Sequence, residues 1–599
     1  MKKFKYYFFG IIDAEDKKGF LRYVIVLFAG SVFSVLGIGA VIPFINLLIQ
    51  PQKMMSYHFL QGFSYNHIII FFTALLVVAF AIKNLVALWL INYQSKFLFG
   101  LMAKVQVKLF TGYMAQPYEY HLNRSTPDLI KNVNNETTML SNYVVAPLGS
   151  LLTEFISSLF VLAILLWINP VFTVLVTLFL ILGVMLFMRL IKVRIERYSV
   201  VRSEAWSSMT ENVLAGLSGI KESKLYHCEK TFLEAFSADA IKLRLSSAFQ
   251  FTFQQAPRML IEFIGLTVVM CVLCGFIMLG SSPQSMFVLL GVFGVAAAQL
   301  LPSLNRLTQA MVQIKYGMPA LVGIFNELHQ VKVTDLALLE QKKDVGHVEF
   351  RASVQVHDIH YSYGDGTRAV KGVTLDITKN KKVAFVGASG AGKTTLVDLL
   401  MGLYEPLQGH IKLDDVEIKT DEQRFTFQKL FAYIPQSIVL YDKTIRENVA
   451  FGVRVTDIDD QLIKECLRAA QIEEFVNKLE KKEYTFIGEA GVRLSGGQRQ
   501  RIGIARALYQ KPQILVMDEA TSALDNNTER EVTNVLSKLT NLTIITIAHR
   551  LSTIQDYDVI YVMQNGKVVS SGKYDELLEN CGVFIKMAAI TANKVSENV

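Results

Sequence analysis

The sequence predicts a helical membrane bundle followed by a separate α/β domain, and three observations carry that reading. Apolar residues make up 52 % of the 599 residues, and the excess lies before about residue 310, in runs long enough to cross a bilayer. Beyond that point strand patterns alternate with turns, as in a soluble α/β domain. Finally, the apolar run Val383 to Val386 leads into a glycine loop, Gly387 to Thr395 (G-A-S-G-A-G-K-T-T), and then into the helix-like Leu396 to Leu400. The expected segments are an elbow at 1–20, a membrane domain at 21–315, a linker at 316–347, the α/β domain at 348–585 and a tail at 586–599.

Six apolar segments can be marked: Leu21 to Ile49, His67 to Ile91, Tyr143 to Ile168, Val171 to Leu190, Leu260 to Leu279 and Met286 to Leu301. Each can span about 30 Å at about 1.5 Å per helical residue, the last only if its helix runs on past Pro302. The connections after the first, third and fifth are short and nearly uncharged. Those after the second and fourth are long and basic, the latter with Lys192, Arg194, Arg197, Arg202, Lys221, Lys224 and Lys230. The positive-inside rule places these two in the cytoplasm, and with them the N-terminus and the α/β domain. Many of the charges behind the net +8 are thus topology signals, and nucleic acid is not an expected partner. Lys2, Lys3 and Lys5 precede a short apolar stretch closed by Asp13, Glu15 and Asp16, which reads as a membrane-surface elbow and not as a signal peptide. The cysteines, Cys228, Cys271, Cys274, Cys466 and Cys581, form no disulfide pattern.

The two inner connections are too long for structureless loops. Leu98, Leu101, Val105 and Leu109 recur at helix spacing, so the second span continues as a helix to a break near Pro117. Thr126, Pro127 and Asp128 then supply a cap, a first-turn proline and a first-turn acid for the returning helix. Gly216 to Lys221 forms a comparable turn in the second connection, giving two long helical hairpins. Charges inside spans each cost about 2.5–3.5 kcal/mol and need a reason. Arg258 and Glu262 stand four apart and can neutralise each other. Lys83 and Arg306 have no acid nearby in the sequence. Either they line a water-filled cavity and meet an anion, or they snorkel to an interface.

The glycine loop has the G-x-x-x-x-G-K-[ST] spacing in a strand–loop–helix context. Backbone N–H groups of Gly387, Ser389, Gly390 and Gly392 close around phosphates, the helix N-terminus adds its positive end, Lys393 reaches the outer phosphates, and Thr394 and Thr395 follow, Thr394 facing a magnesium ion. The expected architecture is therefore a membrane α-helical bundle of six transmembrane helices with long cytoplasmic extensions, followed by an α/β P-loop nucleotide-binding domain. Asp518 ends an apolar strand and is placed to hold Mg2+. Glu519 follows it and polarises the attacking water, and His549, at the end of Thr543 to Ala548, meets a γ-phosphate. Ser495, Gly496, Gly497 and Gln498 open another helix and make a second phosphate cradle. Within one small domain it cannot serve the same phosphates, so a second copy must supply it.

The whole set resembles the nucleotide-binding domain of ATP-binding cassette transporters over residues 348–580. The resemblance assigns Tyr363 to adenine stacking and Gln436, in Ile434-Pro435-Gln436, to the metal and the catalytic centre. It reads Leu494 to Gln498 as the signature, Ile514 to Glu519 as Walker B, and Asp525 as a further nucleotide-site residue. The six-span half resembles the type IV exporter fold in a fused half-transporter, with the tips near Tyr118 to Asn123 and Gly219 to Cys228 as coupling helices, and Glu489 matches an exporter-type loop. This implies a homodimer with two ATP sites, working by alternating access in a bacterial inner membrane. Gly219 to Leu225 and Ala256 to Glu262 are similar to stretches of lipid-linked oligosaccharide flippases. That similarity implies that Lys83, Arg258 and Arg306 bind the pyrophosphate of a polyprenyl carrier. The competing expectation is an exporter of peptides or hydrophobic drugs, in which these three cations pair with acids.

Overall fold

The computed structural model describes residues 2–30, 64–168, 170–278, 283–331, 349–488, 491–518, 541–548 and 550–596. They divide into two compact units: Met1–Gln116 with Tyr120–Leu336, and Pro117–Glu119 with Ala337–Val599.

The first unit is helical. A short helix, α1 (Lys2–Gly10), precedes a second one over residues 14–30; the outer half of the first expected span lies outside the described residues. The long helices follow: α2 (Tyr65–Met114), α3 (Ala146–Ile168), α4 (Pro170–Ser218), α5 (Glu229–Met278) and α6 (Pro283–Gln330). Among the described residues, Tyr65–Met114, Thr126–Trp167 and Thr173–Ser218 are long and apolar enough to cross a membrane. The 50 residues of α2 measure about 75 Å, more than twice the hydrocarbon thickness, so the helix runs far beyond the bilayer. Its extension is amphipathic as the spacing predicts: Leu98, Leu101, Val105 and Leu109 are all buried. The chain then turns through a five-residue helix, Tyr118–Leu122. The returning helix starts at Thr126 with Pro127 in its first turn, but its N-cap is Ser125, one residue before the expected Thr126. In the second hairpin α4 ends at Ser218 and a short helix, Ile220–Leu225, forms the tip.

One expectation is corrected. The last helix does not give way to a linker after Lys315. It passes through Pro302 and Pro319 to Gln330, because Leu321, Ile324, Phe325 and Leu328 continue a buried stripe at helical spacing. The elbow segment packs on the helical bundle. Phe8, Ile11 and Ile12 of the N-terminal segment are buried with Leu109 and Phe325, and Asp16 and Asp13 pair with Lys104 and Lys108 at 2.7 and 2.5 Å. Lys108 is about 25 Å past the end of the second apolar run at helical rise. The apolar face of α1 is therefore covered by protein.

Upstream of α3 the chain winds as π-helix at Lys131–Glu136 and again at Ser141–Val145, a local widening often tied to function. Glu136 closes the first of these, and against it lies Arg202 of α4, 2 % exposed, with one nitrogen 3.5 Å from the carboxylate. The guanidinium covers the ring of Tyr316 of α6, and none of its nitrogens makes a hydrogen bond among the described residues. Glu136 also accepts from Ser203 at 3.1 Å.

The second unit contains two sheets. β1 (Ser353–Ser362), β2 (Arg368–Thr378), β4 (Gln408–Leu413) and β5 (Val416–Glu417) form an antiparallel sheet in the order β2-β1-β4-β5. The sequence-expected first strand, Val348 to Val356, instead begins at Ser353 and runs on to Ser362. A bulge around Asp358 (φ 46°) lets it continue. β3 (Lys382–Gly387), β6 (Phe431–Ile434), β7 (Ile514–Asp518), β8 (Thr543–Ile547), β9 (Val559–Gln564) and β10 (Lys567–Gly572) form the second sheet, in the order β10-β9-β3-β8-β7-β6. The pairs β3–β8, β8–β7 and β7–β6 are parallel. Alternation along β7 separates two cores: Ile514 and Val516 face one that holds helix α7 (Lys393–Leu400), and Leu515 and Met517 face one that holds helix α8 (Gly496–Tyr509).

The Arg202–Glu136 pair makes a testable prediction. A buried pair with unmade hydrogen bonds adds little stability, whereas stranding one partner costs about 3–5 kcal/mol. Arg202→Met and Glu136→Gln should each lower the melting temperature of the purified protein, and the Arg202→Met/Glu136→Leu double variant should recover it. Silent single variants would show that the contact carries no energy.

Candidate functional site

The nucleotide loop is built by β3 and α7. Gly392 is the N-cap of α7 in the left-handed region (φ 94°), and a Cβ there would lie 2.4 Å from the Ala369 carbonyl oxygen, so only glycine fits. Gly390, also at positive φ, and Ser389 are exposed, and nothing lies within 4 Å of a Cβ built on Gly390. Lys393 is 5 % exposed, and its ammonium donates to the carbonyls of Gly387 and Ala388 at 2.8 and 3.1 Å. Exposed loop amides, a helix N-terminus and one buried cation form a set of donors with no carboxylate among residues 387–395, which fits a polyphosphate.

The parallel pairs align the carboxyl ends of β3, β8 and β7 along one edge, where Asp518 closes β7 beside the phosphate loop. Its Oδ2 accepts from the Tyr433 hydroxyl at 3.4 Å. Gln436 is exposed two residues past β6, on the neighbouring strand. Thr394 is exposed and Thr395 buried, and the Thr395 hydroxyl meets the phenol of Tyr363. Glu519, His549, Asp525 and Glu489 lie outside the described residues.

Ser495 caps α8 by a capping box: its hydroxyl accepts from the Gln498 amide at 3.3 Å, and the Gln498 side chain accepts from the Ser495 amide at 2.9 Å. Ser495 and Gly496 are exposed. The helix they open is anchored through Ile502, Ile504 and Ala505 in a different core from the one that anchors α7.

Residues 370–522 match the family model described as ABC transporter, and residues 19–301 match that of the ABC transporter transmembrane region. An ATP-dependent lipid A-core flippase from Thiobacillus denitrificans is 32 % identical over 496 residues, 82 % of this chain and 83 % of that protein. This chain belongs to the ABC transporters. A flippase of the same name from Saccharophagus degradans is 35 % identical over 62 % of this ABC transporter and 61 % of its own length. Human ATP-binding cassette sub-family B member 5 is 41 % identical over 42 % of this chain and 21 % of its own. The transporter thus spans about three-fifths or less of several curated relatives it matches, among them those from Saccharophagus degradans and Francisella novicida. In fold it is similar to a bacterial Atm1-family ABC exporter with ATP bound, with a TM-score of 0.77 at 21 % identity, covering 97 % of this chain and all of that one.

The three candidate cations sit on three different helices. Lys83 of α2 lies 5.2 Å from the ring of Phe80 and has no ion pair to a described residue. Arg258 of α5 pairs with Glu262 at 2.8 Å. Arg306 of α6 finds the acid that its own neighbourhood lacks: it forks onto Glu154 of α3 at 2.5 and 3.1 Å. The outer cluster Met54 to Phe63 and the side chains of Cys271 and Cys274 lie outside the described residues, and Cys228, Cys466 and Cys581 are free thiols.

Sequence reasoning passed over Asp398, although an acid four residues after Thr394 on the phosphate-loop helix was visible. Burial first, and then the negative charge of Asp518, push its carboxyl up to about 6. A carboxyl raised in this way gives its full contribution to folding below the unfolded value, about 4. That contribution is lost as pH rises through the folded value of about 6. In melting curves of the nucleotide domain, the native chain should lose stability relative to Asp398→Asn between about pH 4 and 6. Parallel pH profiles would overturn this account of Asp398.

Proposed function

We propose that this ABC transporter is one half of a homodimeric exporter that uses ATP hydrolysis to flip an amphipathic lipid, specifically a polyprenyl-pyrophosphate-linked oligosaccharide, across a bacterial inner membrane. Kinship carries the lipid reading: a relative matched over 83 % of its length is named an ATP-dependent lipid A-core flippase. The basic connections after the second and fourth spans support a cytoplasmic N-terminus and nucleotide domain.

In this reading the loop amides and Lys393 hold the phosphates of ATP, Thr394, Gln436 and Asp518 hold Mg2+, Glu519 polarises water and His549 meets the γ-phosphate. The bound ion spreads negative charge away from the outer phosphates. Ser495, Gly496, Gly497 and Gln498 of the twin chain complete the site, with Asp525 at its margin. The anchoring of α7 and α8 in separate cores supports this division, since each loop is rigid in its own layer and exposed at its tip. Closure and reopening of the paired domains are passed to the spans through the hairpin tips.

Lys83, Arg258 and Arg306 bind the pyrophosphate of the cargo. Arg306 gives two N–H groups to Glu154 and keeps the remainder of its five donors for a phosphate oxygen. The second reading, an exporter of peptides or hydrophobic drugs, is favoured by one observation: Arg258 and Arg306 both have carboxylate partners.

Two expected outcomes test these readings. Glu519→Gln should lower lipid-stimulated ATP hydrolysis about a hundredfold or more; a near-native rate would remove Glu519 from the chemistry. In reconstituted vesicles the Lys83→Ala/Arg258→Ala/Arg306→Ala variant should stop moving lipid-linked sugars. Normal flipping by that variant would remove the three cations from pyrophosphate binding.

A further inference from the structure

Tyr363 and Thr395, 32 residues apart in sequence, bring their hydroxyl oxygens to 2.6 Å. The two ends of the tyrosine are fixed by different parts of the fold. Its backbone is set by a turn after β1, in which the Tyr363 amide donates to Thr367 at 3.0 Å and the Gly366 amide donates to Tyr363 at 2.9 Å. Its ring stands edge-on to Tyr361 and Tyr404 at 5.4 and 6.1 Å, and those two stack on each other at 4.9 Å. Its phenol is tied to the first turn of α7 through Thr395, which is 6 % exposed, whereas the preceding Thr394 is turned outward. Fixing the backbone and the hydroxyl sets the first side-chain torsion and so the axis of the ring, and the edge-on contacts with Tyr361 and Tyr404 limit its rotation about that axis.

We propose that Thr395 is a positioning residue for the nucleobase. Its hydroxyl holds the Tyr363 ring at the place where adenine stacks, so that α7 sets the place of the base as well as that of the phosphates. The inference rests on the reading of Tyr363 as the base platform. It divides the two threonines: Thr394 faces the metal, while the Thr395 hydroxyl also reaches Tyr363.

The test uses full-length protein in lipid nanodiscs with Mg2+, with the dissociation constants of ADP and of pyrophosphate read by competition. ADP carries the base and pyrophosphate does not. Thr395→Val should weaken ADP about fivefold relative to pyrophosphate, the size expected for one lost hydrogen bond that immobilises a side chain. Thr395→Ser should restore the native ratio. Tyr363→Phe should reproduce the loss, and combining it with Thr395→Val should add nothing further. Equal losses for both probes, or additive losses in the double variant, would overturn the proposal. Tyr363→Ala separates the two levels. If it leaves the ratio unchanged, the platform reading itself falls. If it lowers the ratio while Thr395→Val and Tyr363→Phe do not, the platform stands and the positioning role falls. Tyr363→Phe carries the same test from the other partner should Thr395→Val fail to fold.

Discussion

The nucleotide site depends on the parallel ladder that joins β3, β8 and β7. Because these strands run in one direction, the glycine loop and Asp518 emerge from the same edge of the sheet, although 123 residues separate Asp518 from Thr395 in the sequence. Reversing β7 against β8 would send Asp518 to the opposite edge. The β-branched and apolar residues of the three strands are buried on both faces, which is the condition under which parallel pairing is stable. The donors that suit a phosphate and the acid that suits its metal are thus brought together by backbone pairing, with no contact between the two side-chain sets required.

The same sheet also separates functions. One face anchors the phosphate-loop helix and the antiparallel sheet, and the other anchors the helix opened by Ser495. In the first unit the corresponding problem is charge. Of Arg306, Arg258 and Lys83 on the long helices, two are matched by acids, one on the same helix and one on another. Arg202 is handled differently: among the described residues it has an aromatic face and one carboxylate in place of hydrogen bonds.

What was legible in the sequence was local. The glycine loop, the capped helix at Ser495 and the buried stripe from Leu98 to Leu109 depend on residues within a few turns of one another, so spacing alone revealed them. What was not legible involved partners remote along the chain. Glu154 lies 152 residues from Arg306, the covering of α1 comes from Leu109 and Phe325, and the phenol of Tyr363 is met 32 residues on. The continuation of α6 beyond Lys315 is a different case. Leu321, Ile324, Phe325 and Leu328 had the period of a buried helix, but the polar residues from Asn326 onward drew attention away from it.

The docking of α1 has a consequence for how the first unit moves. Gly10 packs so closely on Phe325 that a Cβ there would lie 2.3 Å from the ring, and Asp13 and Asp16 are stapled to the α2 extension. α1 is thereby fastened beside the C-terminal end of α6. A tilt of α6 therefore carries α1 with it, and the two helices share one pivot.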